Sequence, residues 1–561
     1  MTADHARAPV LEALDDYRLR GHLSFTPPGH KQARGADPAV RAVLGDAVFL
    51  GDVLASGGLD DRLHQGRVLE RAEELMADAV HAEHTFFTTC GSSLSVKAAM
   101  LTVAGPHEKL VVGRDAHKSV AAGLILSGIE PVWVDPQWDG ARHLAHPPSA
   151  EEFERALERH PDAKGALVTS PTPYGSCADL NAIARICHRR SVPLIVDEAW
   201  GAHLPFHDDL PSWAMDAGAD ICVTSIHKMG SGLEQGSVFH LQGDLVPPEL
   251  LRLRADLLGT TSPSALIFAG LDGWRRQMAL RGKEIMGAAL ELVAEVRAAI
   301  EQIDGMHVND RDDFCGAGSS GSGEVPCGSA APQRGAGLYP FAAPPRWGSP
   351  RSSEAESGGE FESGGATSHD APADSAPDFQ RSAAADFDPL PVVIDLDGLG
   401  ISGYQAADWL RAHRSVDAHL ADHRRIGMQI THGDDAETAG ELLAALKDLA
   451  QAAPLMPPAP RVDVPAPAEL RLEQAMTPRD AFFGPTEDVP VDAAAGRVVA
   501  EMITPYPPGI PAALPGERLT EPVVRYLVTG LAAGMNLPDP SDPGLDTVRV
   551  VKPGHDVKRV T

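Results

Sequence analysis

Between about Phe86 and Lys228, short apolar runs alternate with amphipathic segments, and this alternation restricts the possible folds of the chain more than any other feature. HTFFTT, KLVVG, PVWVD, GALVTS, VPLIVD and ICVTS read as strands, with helical patterns such as SLSVKAAMLTVA, HKSVAAGLILSG, EEFERALERH and LNAIARICHRR between several of them. Strands alternating with helices predict βαβ units and a mostly parallel sheet covered on both faces, an α/β architecture. Such sheets bind ligands outside the carboxyl ends of their strands. The polar clusters that follow these runs are therefore the candidates for chemistry.

The 561 residues suggest two to four domains. An N-terminal segment (1–38) is expected to precede a large domain (39–300), followed by a smaller α+β domain (301–455). From about 313 to 388 the composition turns to Gly, Ser, Pro and acidic residues with almost no apolar periodicity. Such a stretch cannot bury enough surface to offset its ordering entropy, so it reads as a disordered insertion within the smaller domain. A Pro/Ala-rich linker (456–469) leads to a last domain (470–561), and no internal repeat is visible.

No stretch of eighteen or more uncharged apolar residues occurs, which argues against a membrane span. The first thirty residues mix charges and lack a signal-peptide core, so a cytoplasmic protein is expected. Cys90, Cys177, Cys187, Cys222, Cys315 and Cys327 form neither a disulfide framework nor a zinc-ligand spacing. A net charge of −30 argues against nucleic acid, whose phosphates require a basic footprint.

Four clusters follow strands. SIHK ends on Lys228, a residue that at a strand end is most often a solvated charge. Ser225 and His227 beside it offer donors, and a desolvated amine there would form an imine with an aldehyde. Asp197, on which VPLIVD ends, fits a helix cap, a metal ligand or an ion pair, and also an anion beneath a pyridine nitrogen. Gly91, Ser92 and Ser93 open a helix, either as a plain N-cap or as a phosphate cradle. His117, after KLVVG, is either a surface histidine or a ring placed to stack on a cofactor.

Taken together, the clusters resemble the bacterial ornithine/lysine/arginine decarboxylases, pyridoxal-phosphate enzymes of the aspartate-aminotransferase fold (fold type I). The resemblance is carried by PPGHK (27–31), GLDD (58–61), GSS (91–93), RDAHKS (114–119), PTPYG (171–175), DEAWGAH (197–203), SIHK (225–228) and TTSPS (260–264). It resumes beyond the insertion with DLDGLGISGYQAADWL, THGDD (431–435) and PYPPGIPAALPGE (505–517). It implies pyridoxal 5'-phosphate as cofactor, with Lys228 as the Schiff-base lysine, Asp197 as partner of the pyridinium nitrogen and His117 over the ring. Ser92, Ser93, Ser225 and His227 would hold the phosphate, and Gly91, Ala199 and His203 would complete the cofactor pocket. Thr261 and Ser262, in TTSPS, would reach the phosphate of a neighbouring subunit in a homodimer. PPGHK begins at Pro27, which leaves no room for the receiver-like domain of the large acid-induced forms; a dimer or small oligomer is expected.

The implied reaction is decarboxylation of a basic amino acid, arginine or lysine before ornithine, to its di- or polyamine. Lys228 or His227 would return a proton to Cα. The same pocket would serve an aminotransferase, with Arg424 or Arg425 holding the α-carboxylate, or a carbon–sulfur lyase. A non-catalytic homologue would be expected to have lost Lys228 or Asp197. Glu517, or an acidic residue of a partner subunit, is a candidate for the side-chain cation.

Overall fold

The computed structural model describes residues 3–21, 23–55, 59, 67–315 and 384–555, all within one folded unit. Its main sheet has seven strands, each fixed by one short apolar run: β1 (His84–Thr88), β2 (Lys109–Gly113), β3 (Glu130–Val134), β4 (Gly165–Thr169), β5 (Leu194–Asp197), β6 (Ile221–Ser225) and β7 (Ser237–Leu241). Their spatial order is β1-β7-β6-β5-β4-β2-β3. The pairs β6-β5, β5-β4, β4-β2 and β2-β3 are parallel, whereas β7 and β1 are antiparallel additions at one edge. Every residue of β4, β5, β6 and β7 is buried. Helices on both faces explain why these runs are continuously apolar rather than alternating.

β7 was not among the expected strands. Its run is short, begins just past the glycines after Lys228 and is interrupted by His240. That side chain is fully buried, yet it is accommodated by Thr85 and Thr224 at 3.3 and 3.1 Å.

Helices α1 (Gly91–Val103) and α2 (Lys118–Ser127) follow β1 and β2, and α3 (Ala265–Ile300) runs for 36 residues. α3 begins where the Ser264 hydroxyl accepts the Ile267 N–H, and it buries Trp274, Met278, Met286, Val293 and Ile300 along one stripe. It leads to a second, antiparallel sheet of β8 (His307–Val308), β9 (Pro391–Asp395), β10 (Leu420–Ala421) and β11 (Arg425–Gln429), in the order β8-β9-β11-β10. Helices α4 (Gly403–Arg414) and α5 (Ala436–Ala452) cover it, each opened by a capping box: Ser402 with Gln405, and Asp435 with Thr438.

The C-terminal segment builds its own small core from Val499, Ile503, Leu519, Val523, Leu527, Leu537, Val548 and Val550 around α6 (Glu521–Ala532). It docks on the main sheet through polar contacts. Arg114 meets Glu517 at 3.0 Å, and the Trp133 indole donates to Gln474 at 3.2 Å.

The expected insertion is shorter at both ends than composition suggested. Arg311–Cys315 is helical, and Asp386–Phe387 pairs antiparallel with Ser176–Cys177. The Phe314 and Phe387 rings stack at 5.0 Å, and the Ala384 N–H donates to the Phe314 carbonyl at 2.8 Å. These two aromatics anchor the rims, and the surrounding Gly/Ser bias hid them. Residues 316–383, most of the expected insertion, lie outside the described residues, as do Gly58, Asp60 and Asp61 of GLDD. Among the described residues no helix is long and apolar enough to cross a membrane.

Candidate active site

β6 delivers Ser225 at its end, and the chain turns at once into a one-turn helix, Ile226–Met229, that lifts Lys228 off the sheet edge. Gly230 permits this turn, because a Cβ there would meet the Ile226 carbonyl at 2.7 Å and the Trp274 indole at 2.8 Å. The amine of Lys228 lies 4.2 Å from the centre of the Trp200 ring, and its carbonyl accepts from the Gln429 amide of the second sheet. Burial pushes the amine down to about 8, with the charge of Asp197 acting against that fall.

Asp197 ends β5, 3% exposed, and accepts from the Ala199 N–H at 3.3 Å. Burial raises its carboxyl, and the Lys228 charge opposes the rise. The pair therefore holds an amine poised near neutrality next to a carboxylate that favours a nearby cation. Thr169, in register with Asp197 on β4, carries a buried hydroxyl without a partner among the described residues.

The two candidate phosphate holders are neighbours. α1 starts at Gly91, with φ +72, without a side-chain cap on its first N–H groups. The Gly91 N–H itself donates to the Gln235 carbonyl at 2.9 Å, and Ser95 in the first turn bonds Ser237 at 3.0 Å. Ser237 pairs in register with Ser225. Ser225 is fully buried, and its hydroxyl has no partner among the described residues. A buried orphan hydroxyl beside an uncapped helix start is a donor set that fits an anion. His227 donates through Nδ1 to the Gly236 carbonyl at 3.3 Å, and burial lowers its basicity.

His117 caps α2, its Nδ1 accepting the Ser119 N–H at 3.2 Å. Burial first, then the charges of Lys228 and Lys118, push it down to about 4. The ring is thus neutral near pH 7 and protonated on Nε2.

Other expected residues are placed differently. His203 is fully buried and faces Asp388 at 3.1 Å, the residue that follows the Asp386–Phe387 strand. This arrangement ties the Asp197–His203 loop to the second sheet's approach. Thr261 and Ser262 are exposed; Thr261 borders a groove of about 600 Å³ with Thr89 and Cys90. Pro27, Pro28, His30 and Lys31 of PPGHK line a cleft of about 940 Å³ whose walls include neither Lys228 nor His117. Arg424 is engaged by Asp397 and the Ala141 carbonyl, and Arg425 by Asp395 at 3.0 Å and Asp422 at 3.5 Å. Glu517 accepts from Arg114 at 3.2 and 3.0 Å and from the Leu514 N–H at 2.8 Å.

Sequence reasoning missed three neighbours of Lys228. Trp200 stood inside DEAWGAH without a role. His419, whose ring lies 5.0 Å from that of Trp200 and is pushed down to about 4 by burial and by Lys228, carried no motif. Gln429 likewise had no local signal.

Comparison with known proteins places this geometry. Residues 8–314 match the family profile described as Orn/Lys/Arg decarboxylase, major domain, and residues 466–539 match the C-terminal domain of that family. The arginine decarboxylase of Halalkalibacterium halodurans is 33% identical over 554 residues, covering 97% of this chain and 98% of the relative. That of Bacillus subtilis is 32% identical over 544 residues, covering 97% and 98%. The Escherichia coli constitutive lysine decarboxylase structure superposes with a TM-score of 0.72 at 22% identity, over 98% of this chain and 82% of that one, a likeness of fold. The chain belongs to the Orn/Lys/Arg decarboxylase family, with the fold of the pyridoxal-phosphate enzymes of fold type I, and is a carboxy-lyase acting on a basic amino acid.

Proposed function

We propose that the protein removes the α-carboxylate of arginine, with lysine and then ornithine as lesser candidates, using pyridoxal 5'-phosphate bound at Lys228. The observation that carries this reading is the buried Lys228 amine at the carboxyl edge of the sheet, 4.2 Å from the Trp200 ring, within reach of the Asp197 charge and pushed down to about 8 by burial. The arginine decarboxylases at about one-third identity support arginine over the other two.

The residues present fit the cofactor. Lys228 would bond its aldehyde, Asp197 would face the ring nitrogen, and His117 would cover the ring. The N-terminus of α1 (Gly91, Ser92, Ser93), with Ser225 and His227, would hold the phosphate, and Ala199, whose N–H donates to Asp197, would complete the pocket. When bound, pyridoxal phosphate supplies the sink for the electron pair left on Cα as CO₂ departs.

The chain's own groups direct that chemistry. Asp197 sits where burial penalises its charge, so it gains most by pairing with a protonated ring nitrogen. His117, neutral at working pH, offers a flat face without adding positive charge over the ring. Lys228 takes up and releases a proton in the neutral range, as an acid–base group facing Cα must. His227, donating through Nδ1 to the Gly236 carbonyl, leaves the Nε2 lone pair free to take up that same proton, and would donate to an anion only once that proton is on. Transamination is disfavoured because Arg424 and Arg425 already have carboxylate partners.

A homodimer with Thr261 and Ser262 reaching the neighbouring site completes the proposal. It is supported by the exposure of that loop and of Leu19, Leu23, Phe25, Val43 and Leu44. The division into a cofactor-binding domain (39–300), a smaller domain (301–455) and a C-terminal domain (470–561), and residence in the cytoplasm, are parts of the same reading. The test is CO₂ and amine release from arginine, lysine and ornithine by purified protein, alongside visible absorbance from the lysine-bound cofactor. Absorbance without CO₂ would move the reaction to another class on this fold. No absorbance with added pyridoxal phosphate would end the proposal.

A further inference from the structure

The C-terminal segment closes over His117. The Lys118 N–H donates to the Gly509 carbonyl at 2.9 Å, and Gly509, at φ +91, lies so close that a Cβ there would meet the His117 ring at 2.9 Å. Tyr506 is fastened by its N–H to the Asn536 carbonyl at 3.0 Å, so residues 505–511 and 536–539 form one surface. On that surface the Asp539 carboxylate binds the Lys118 ammonium through Oδ1 at 2.8 Å, and Lys118 in turn lies 5.1 Å above the Tyr506 ring. The second oxygen, Oδ2, is buried and has no hydrogen-bond partner among the described residues. The Asp539 charge reaches His117, where it works against the loss of basicity that burial imposes.

A basic amino acid whose α-amine is at Lys228 and whose reacting carbon lies beneath His117 must send its distal cation away from the cofactor. A cation taken out of water needs an anion with a free oxygen. Asp197 faces the cofactor side, and Glu517 is already satisfied by Arg114 and the Leu514 N–H. Asp539 has an unpartnered oxygen and, through Lys118, sits beside the residue that follows His117.

We propose that Asp539 receives the distal cation of the substrate's side chain, a specificity contact that rests on the decarboxylase reading above. Because Lys118 occupies Oδ1, Oδ2 offers a single acceptor rather than a two-point fork. A one-point contact serves an ammonium and a guanidinium alike. Asp539 thus selects a cationic side chain over a neutral one, and the choice between arginine and lysine falls to other residues.

The experiment uses the holoenzyme and the isosteric variant Asp539→Asn. Four quantities are read: kcat, KM for the basic substrate, inhibition by agmatine, and inhibition by pentylamine, which lacks a distal cation. A lost charged hydrogen bond is expected to raise KM and the agmatine Ki by about tenfold to a hundredfold, with the pentylamine Ki and the cofactor absorbance unchanged. Equal weakening of both amines, or no change in either, overturns the proposal.

Lys118→Gln separates substrate binding from a merely structural ion pair. If Asp539 receives substrate, removing its competitor leaves KM the same or lower. If Asp539 serves only to hold Lys118, the two variants are impaired alike, which overturns the proposal. A parent protein that shows no absorbance or releases no CO₂ defeats the decarboxylase reading itself, before any variant is compared.

Discussion

Lys228 shows how one residue type takes its chemistry from its surroundings. An exposed lysine would hold its proton past pH 10, but burial brings this amine to about 8. A lowered pKa means that the neutral, nucleophilic form becomes the majority above about pH 8 instead of above the ordinary lysine value. Capture of pyridoxal phosphate by apoprotein is therefore expected to speed up as pH rises to about 8 and then level off; stopped-flow absorbance would show whether the rise instead continues past pH 10. Lys228→Ala is expected to abolish the visible band and lower decarboxylation by at least about a thousandfold. Lys228 and Asp197 were legible because their short motifs follow strands. Trp200 and His419 were not, since nothing local tells a ring packed on a lysine from a ring packed in a core.

At the scale of elements, two glycines set how the loops meet. Gly509, at φ +91, allows the C-terminal segment to lie on His117. Gly509→Ala should push that ring out of place and reduce kcat by roughly tenfold to a hundredfold, with a displaced absorbance maximum of the bound cofactor as the accompanying sign. Gly175, at φ +93, carries the PTPYG turn against the strand that leads to Asp388, and a Cβ there would stand 2.7 Å from the Asp388 carbonyl. Gly175→Ala is expected to cost about 2 kcal/mol of stability, measurable as an earlier urea transition; an unchanged midpoint would show that the turn relaxes freely. Of the six expected strands, β2, β4, β5 and β6 were readable because buried parallel strands are apolar nearly throughout, and the half-buried edge strands β1 and β3 because their aromatic and β-branched residues favour a strand. β7 escaped because a single buried histidine, satisfied by two threonines, breaks its apolar run.

For the whole molecule, the ends of the inserted segment meet: the Ala384 N–H bonds the Phe314 carbonyl at 2.8 Å, and Phe314 stacks on Phe387. Replacing residues 316–383 by a short Gly/Ser linker should therefore leave the fold and the cofactor absorbance intact. Loop shortening on this scale changes closure entropy by only about 2 kcal/mol, in the stabilising direction. Loss of folding or of cofactor binding would show that the segment contributes contacts of its own.

The sequence alone determined the βαβ order, the mostly parallel sheet and the positions of Lys228, Asp197, His117 and Ser225, because those depend on local periodicity and on residues adjacent to strand ends. It also carried the family resemblance. Tertiary structure decided which distant segments face one another. Arg114 takes Glu517 out of the running for substrate, Asp388 meets His203, and the second sheet brings His419 and Gln429 to the lysine. Such pairings depend on how sheets and loops pack in space, and contacts between residues hundreds of positions apart leave no periodic trace along the chain.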